Sequence, residues 1–229
     1  MKALLSIICI LTVGMSARPV LVWAPDDWYR YQGTADPGKG VPCDSSPNQG
    51  SNCGPACVAM CVQYATGRWV PIDSAGGKEN VRYVMMGRNE DEGCDWPQVE
   101  KALKHYGVPY RWVHKTEGIK DAIRNGHPVM AMVQCEKLAK TRSANSMVGR
   151  YYEFRWGHFL MVRGMSKNED YFVCYDPQVF VEKPEHWTRN GEPRGRDVLY
   201  PVELFDAASV TKLGDNFPAI EIMKSYDRR

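Results

Sequence analysis

The chain has 229 residues, 44% of them hydrophobic and 24% charged, which is a globular composition and not a disordered one. Its net charge is only +2 and it carries no dense Lys/Arg block, so neither nucleic acid nor an anionic membrane surface is indicated as the main partner. Seven tryptophans and 12 tyrosines are many for this length, and point to a large aromatic core or a ring-lined cleft.

At the N-terminus, Lys2 precedes an apolar run from Ala3 to Val13, followed by Gly14, Met15, Ser16 and Ala17. A basic start, a short apolar stretch and small residues after it describe a secretory signal peptide over residues 1–17, cleaved after Ser16 or Ala17. The run is shorter than the roughly 20 apolar residues that a spanning helix needs. No second run of that length follows, so a soluble mature chain is expected, extracellular or periplasmic. A buried N-terminal strand or helix, or an uncleaved tether, is the competing reading. Residues 18–229 then form one domain, with an irregular arm over 18–48 rich in Pro, Gly and Asp, and a core over about 45–210.

Export bears on the eight cysteines. Cys9 lies in the signal, and seven remain. An odd number in an exported chain implies a free thiol, while disulfides among the others are permitted. No CxxC pair occurs, so a structural zinc site has little support; no metal or cofactor is expected.

Beyond the arm, "NQGSNCGPACVAMCVQYATG" sets Cys53 after a Gly/Asn/Ser-rich turn. Pro55 suits a first helical turn and Gly67 the position past its end, which predicts a helix over Pro55–Ala65. Every residue from Pro55 to Val62 is apolar or small, so this helix is buried on all sides, with Cys53 at its mouth. Cys57 and Cys61 continue one face of it into the core. A second helix is predicted over Trp96–Tyr106, with Asp95 as N-cap, Pro97 in the first turn and Gly107 at the end. A third runs from Glu117 to Asn125, capped by Thr116. Strands follow over Pro128–Cys135, His158–Arg163 and Tyr171–Tyr175, the last two forming a hairpin, with short strands near Val198 and Ile220. Helices first and then mostly antiparallel strands make an α+β fold.

The hairpin carries chemistry. If Gly164 pairs with Tyr171, Asp176 comes opposite Phe159, and a shift of one residue sets it opposite His158. Side chains of such neighbours lie about 5 Å apart. The Asp176 carboxylate then orients the imidazole and favours its charged form. A thiol at a helix N-terminus faces unpaired N–H groups and the positive end of the dipole, both of which favour the thiolate, and an imidazolium nearby favours it further. Gly54 leaves the adjacent backbone N–H open to an oxyanion, and the side-chain amide of Gln49 is a candidate second donor. Cysteine, histidine, carboxylate and amide are the set needed for acyl transfer through a thioester. His105, His114, His127 and His186 lack such company and read as surface or structural residues.

"NCGPACVAM", "GHPVMAMV", "WGHFLMVRGM" and "YFVCYDP" together resemble the bacteriocin-processing (double-glycine leader) cysteine peptidases, especially their stand-alone branch within the papain-like clan. The likeness covers roughly Gln49 to Gln178. It implies a papain-like fold, with the cysteine at the N-terminus of a buried helix packed on an antiparallel sheet. It implies that Cys53 is the nucleophile, His158 the base, Asp176 the orienting residue and Gln49 the oxyanion donor. The expected substrate is a peptide or isopeptide bond in a peptide or protein. Cell-wall peptide cleavage and a degenerate module that binds peptides without cutting them are the alternatives.

Overall fold

A helix with no polar face must be covered all round, and α1 (Cys53–Thr66) is: from Gly54 to Val62 every residue is buried, Cys57 and Cys61 among them. The computed structural model describes residues 20–21, 28–32, 34–36, 41–42, 49–73, 78–87, 92–141, 146–152, 157–180, 183–208 and 218–225. The expected signal segment 1–17 lies outside them. α1 ends as its sequence requires, with Gly67 in the left-handed region at φ 71° and its N–H on the Gln63 carbonyl.

Two helices flank α1. In α2 (Val81–Met86), the Asn80 side chain accepts the Tyr83 N–H. In α3 (Trp96–His105), Asp95 and Gln98 form a reciprocal capping box. The expected α3 thus forms, one residue shorter; α2 was not anticipated, because one and a half turns carry too little periodicity.

The sheet is antiparallel throughout, in the order β4 (Tyr110–His114), β9 (Pro218–Ile222), β5 (Val129–Gln134), β6 (Gly157–Met165), β7 (Tyr171–Tyr175), β8 (Val198–Pro201). β1 (Val20–Leu21) adds to the far end of β6, and β2 (Thr34–Asp36) and β3 (Val41–Pro42) form a separate pair. β6 is buried at every position from His158 to Val162, so helices must cover both of its faces. α1 meets it through Cys61, whose sulfur lies 3.7 Å from that of Met161. α4 (Lys115–Arg124), α5 (Cys135–Leu138) and α6 (Val202–Ala208) complete the cover.

Two expectations need correction. α4 starts two residues before Glu117, with His114 as N-cap; the Thr116 hydroxyl does not cap the helix but donates to Asp206 at 2.6 Å. The chain leaves β4 and enters α4 directly, turning at Lys115 with φ 61°. The hairpin register is also displaced. Met161 pairs with Tyr175 and Val162 with Cys174, then a bulge before Gly164 shifts the pairing by one. Asp176 therefore continues opposite Leu160, and His158 is its diagonal neighbour on the same face.

The apolar core is one continuous cluster that takes in residues beyond 45–210 at both ends. From the arm, Trp28 packs on Tyr64 and Tyr175 with ring centroids 5.4 and 4.7 Å apart, and Gln32 donates its N–H to Pro177 at 2.8 Å. At the other end β9 sits between β4 and β5. Among the described residues no helix is long and apolar enough to cross a membrane.

Candidate active site

α1 begins at Cys53, so the thiol sits among first-turn N–H groups that have no partner one turn back. Burial opposes a charge on this sulfur. A hydrogen bond from His158, the His158 charge, and the N–H groups of Phe159 and Gly54 outweigh burial and hold the thiol below the ordinary cysteine value. The deeper thiols behave in the opposite way: burial pushes Cys57, Cys61 and Cys174 up, so they stay protonated.

His158 stands near the start of β6, wholly buried. Its Nε2 lies 3.0 Å from Asp176 Oδ1, which leaves Nδ1 as the ring nitrogen on the side available to Cys53. Burial disfavours the imidazolium, but the Asp176 charge and hydrogen bond, helped by Cys53, raise its pKa to about 10. Asp176 is buried as well, and burial resists its charge; the His158 charge and the hydrogen bonds it accepts hold it below the usual carboxylate range. Oδ1 also takes the Gln178 N–H at 3.0 Å, and Oδ2 takes the hydroxyls of Tyr152 and Tyr200 at 2.7 Å each. The bond to Gln178 is the turn expected of Asp176–Pro177, so one carboxylate both shapes the turn and orients the ring. The backbone is pinned too: the Asp176 carbonyl accepts from the Tyr29 hydroxyl, and its N–H donates to Gly195, both at 2.8 Å.

The turn in front of Cys53 is held by groups that the sequence did not single out. Asn52 is the N-cap of α1, yet its side chain makes no cap bond. It donates to Asp73 at 2.7 Å and accepts from Arg82 Nε at 2.7 Å instead. Arg82 also reaches the Ser51 hydroxyl at 2.8 Å and the Glu92 carbonyl at 3.2 Å. Asn52, Asp73 and Arg82 are all buried. With Asn52 drawn away, the first-turn N–H groups of α1 stay open to the sulfur and to a developing oxyanion. Arg82→Ala removes a buried cation 4.0 Å from Asp73 together with the donor to Asn52, and a stability loss of about 3–5 kcal/mol is expected. For a chain this long that is a drop in Tm on the order of 10 °C. A thermal melt within about 2 °C of the parent would remove the network from the account.

The structure thus brings together Cys53, His158 and Asp176. Gln49 belongs to a short 3-10 turn, Gln49–Ser51, just ahead of α1, but its side chain lies outside the described residues. Tyr152, Tyr200 and Arg82 were missed, since each reaches the site from a distant segment with no local motif. Of the other histidines, His186 is buried and its Nδ1 accepts the Phe180 N–H, and His127 pairs with Glu221 at 2.6 Å. His105 and His114 are exposed. Among the described residues no His/Cys/Asp/Glu group is arranged to hold a metal ion.

A cysteine at the mouth of a buried helix, packed against an antiparallel sheet that carries histidine and aspartate, is the architecture of the papain-like cysteine peptidases. Residues 32–190 match the model of the Peptidase_C39 like family, and the chain belongs to that family. Among solved structures it is similar to the peptidase domain of Streptococcus ComA, a bi-functional ABC transporter involved in a quorum-sensing pathway. The identity is 15%, the match covers 77% of this chain and 93% of that one, and the TM-score is 0.49. It is also similar to a candidate C39-like peptidase from Bacillus anthracis, at 16% identity over 76% and 89% of the two chains with a TM-score of 0.45. No curated protein matches it.

Proposed function

We propose that the chain is an exported cysteine peptidase that hydrolyses a peptide or isopeptide bond through a thioester on Cys53. The observation that carries this reading is the buried His158–Asp176 pair, Nε2 to Oδ1 at 3.0 Å, beside a Cys53 thiol at the N-terminus of α1 whose pKa the His158 charge lowers. The Cys53 thiolate attacks the carbonyl carbon. The oxyanion is taken by backbone N–H groups at the start of α1 and by the Gln49 amide. The His158 imidazolium gives its proton to the departing amine, and the neutral ring then draws a proton from the water that opens the thioester. Asp176 keeps the ring in place and stabilises its charged form. Export rests on the composition of residues 1–17 alone.

A peptide-library digest run beside a zymogram on purified cell wall, with the full chain and its Cys53→Ala variant, tests the reading. Peptide cleavage that vanishes in the variant supports it. Clearing of the cell wall would make cell-wall peptides the substrate. Peptides retained uncut by the parent chain would leave a binding module. For Gln49, the expected result of Gln49→Ala is turnover lower by about 10²–10³ with an unchanged melt. Unchanged turnover would pass the oxyanion role to another group, such as Gln32, which is buried beside Pro177.

A further inference from the structure

One thiol near the centre has no part in this mechanism. Cys94 immediately precedes Asp95, the N-cap of α3, and its sulfur fills the space that a side chain on Gly54 would occupy: a Cβ there would lie 2.1 Å from Cys94 Sγ. Gly54 is the residue next to Cys53 along α1. Cys53 and Cys94 are both free and only partly buried, whereas Cys57, Cys61, Cys135 and Cys174 are fully enclosed. Cys57 sits one turn below Cys53 on the same helix, where disulfide geometry is poor.

We propose that Cys94 is a resolving thiol for Cys53, so that a hydroperoxide converts the pair into a disulfide that reversibly stops the enzyme. This rests on the reading of Cys53 as an activated thiolate. The Cys53 sulfur attacks the outer oxygen of the hydroperoxide, the O–O bond breaks, an alcohol or water leaves, and Cys53 becomes a sulfenic acid. The Cys94 sulfur then attacks the Cys53 sulfur. An S–S bond forms, the S–O bond breaks, and the hydroxyl departs as water with the Cys94 proton. Two thiols are oxidised and one hydroperoxide is reduced. A dithiol reverses the step and is itself oxidised to a disulfide.

The local charges favour this order of events. Burial keeps Cys94 protonated, and the nearby negative charge of Cys53 adds to that, while Arg82 opposes it. Once Cys53 is a neutral sulfenic acid that repulsion is gone while the Arg82 charge remains, so oxidation of Cys53 removes one of the influences that hold Cys94 protonated.

The test uses the full chain, reduced and then treated with a small excess of hydrogen peroxide, followed by non-reducing peptide mapping. The expected product is a Cys53–Cys94 cross-linked peptide, with iodoacetamide labelling of Cys53 down at least about tenfold and restored by dithiothreitol. In Cys94→Ser, labelling of Cys53 at mildly acid pH should survive before peroxide. After peroxide it should be lost beyond rescue, because the sulfenic acid goes on to sulfinic acid. A parent chain that keeps its His158-dependent labelling, yet gives no Cys53–Cys94 peptide or pairs Cys53 with another cysteine, overturns the thiol pair and leaves the peptidase reading standing. Loss of the His158 dependence in the reduced protein would instead sink the peptidase reading, and with it the premise of the pair.

Discussion

In the His158→Ala variant, turnover should fall by about 10⁴–10⁶, the scale seen when one member of a nucleophile–base unit is removed. Labelling of Cys53 by iodoacetamide at about pH 5–6 should drop to the rate of an ordinary thiol, which is scarcely ionised there. Both losses have one cause. Burial alone would keep Cys53 neutral; the hydrogen bond and charge of His158 do most to reverse it. The imidazolium in turn owes its raised pKa, about 10, first to Asp176. Thiolate and imidazolium therefore coexist from the lowered pKa of Cys53 up to about pH 10. The signs of the linked stability follow. The His158 contribution is complete below the ordinary histidine pKa of about 6.5 and is lost as pH rises through about 10. The contributions of Cys53 and Asp176, whose folded values are lowered, are present above their unfolded values and are lost as pH falls through the folded ones. Mass-spectrometric mapping of the labelled peptide against pH reads the result. Equal reactivity of Cys53 with and without His158 would make the binding module the better reading.

Replacing Asp176 should separate structure from catalysis. Asp176→Ala removes the acceptor shared by His158, Tyr152, Tyr200 and the Gln178 N–H, all at the buried centre of the site. Breaking a buried charged pair costs about 3–5 kcal/mol, so the melt should fall on the order of 10 °C. Acid-pH labelling of Cys53 should weaken as His158 loses the charge that raises its pKa. Asp176→Asn keeps a carbonyl acceptor for part of this set. It should cost less stability, and it should weaken labelling less than His158→Ala does, because the imidazole remains. An Asp176→Ala chain that melts with the parent and labels as fast would show that the carboxylate does not organise the site.

Local chemistry made much of this protein legible before its fold. A run of apolar or small residues from Pro55 to Val62, with Gly67 past its end, reads as a buried helix because each residue's preference points the same way. Asp95 and Gln98 mark the start of α3 through bonds to their own helix. Two β-rich runs joined by a polar loop make a hairpin, and a hairpin brings His158 and Asp176 to one end whatever its detailed register. The cysteine, histidine and aspartate were therefore readable as a set, and so was the family.

What the tertiary structure decided is what depends on segments meeting from afar. Gly164 pairs with Val173 and not with Tyr171, and the bulge between Val162 and Gly164 takes back one residue of that difference, which leaves Asp176 opposite Leu160 and diagonal to His158; neither the register nor the bulge is written in the composition. Tyr29, Tyr152 and Tyr200 converge on Asp176 from three separate stretches, and Arg82 and Asp73 converge on Asn52 from outside α1. None of these carries a local signature, because a buried polar group is satisfied by whichever partner the packing delivers. β4 and β9 pair across more than a hundred residues, and neither could declare its partner alone. The same holds for Cys94: only packing α3 against α1 sets its sulfur over Gly54, the residue that follows Cys53 in the chain.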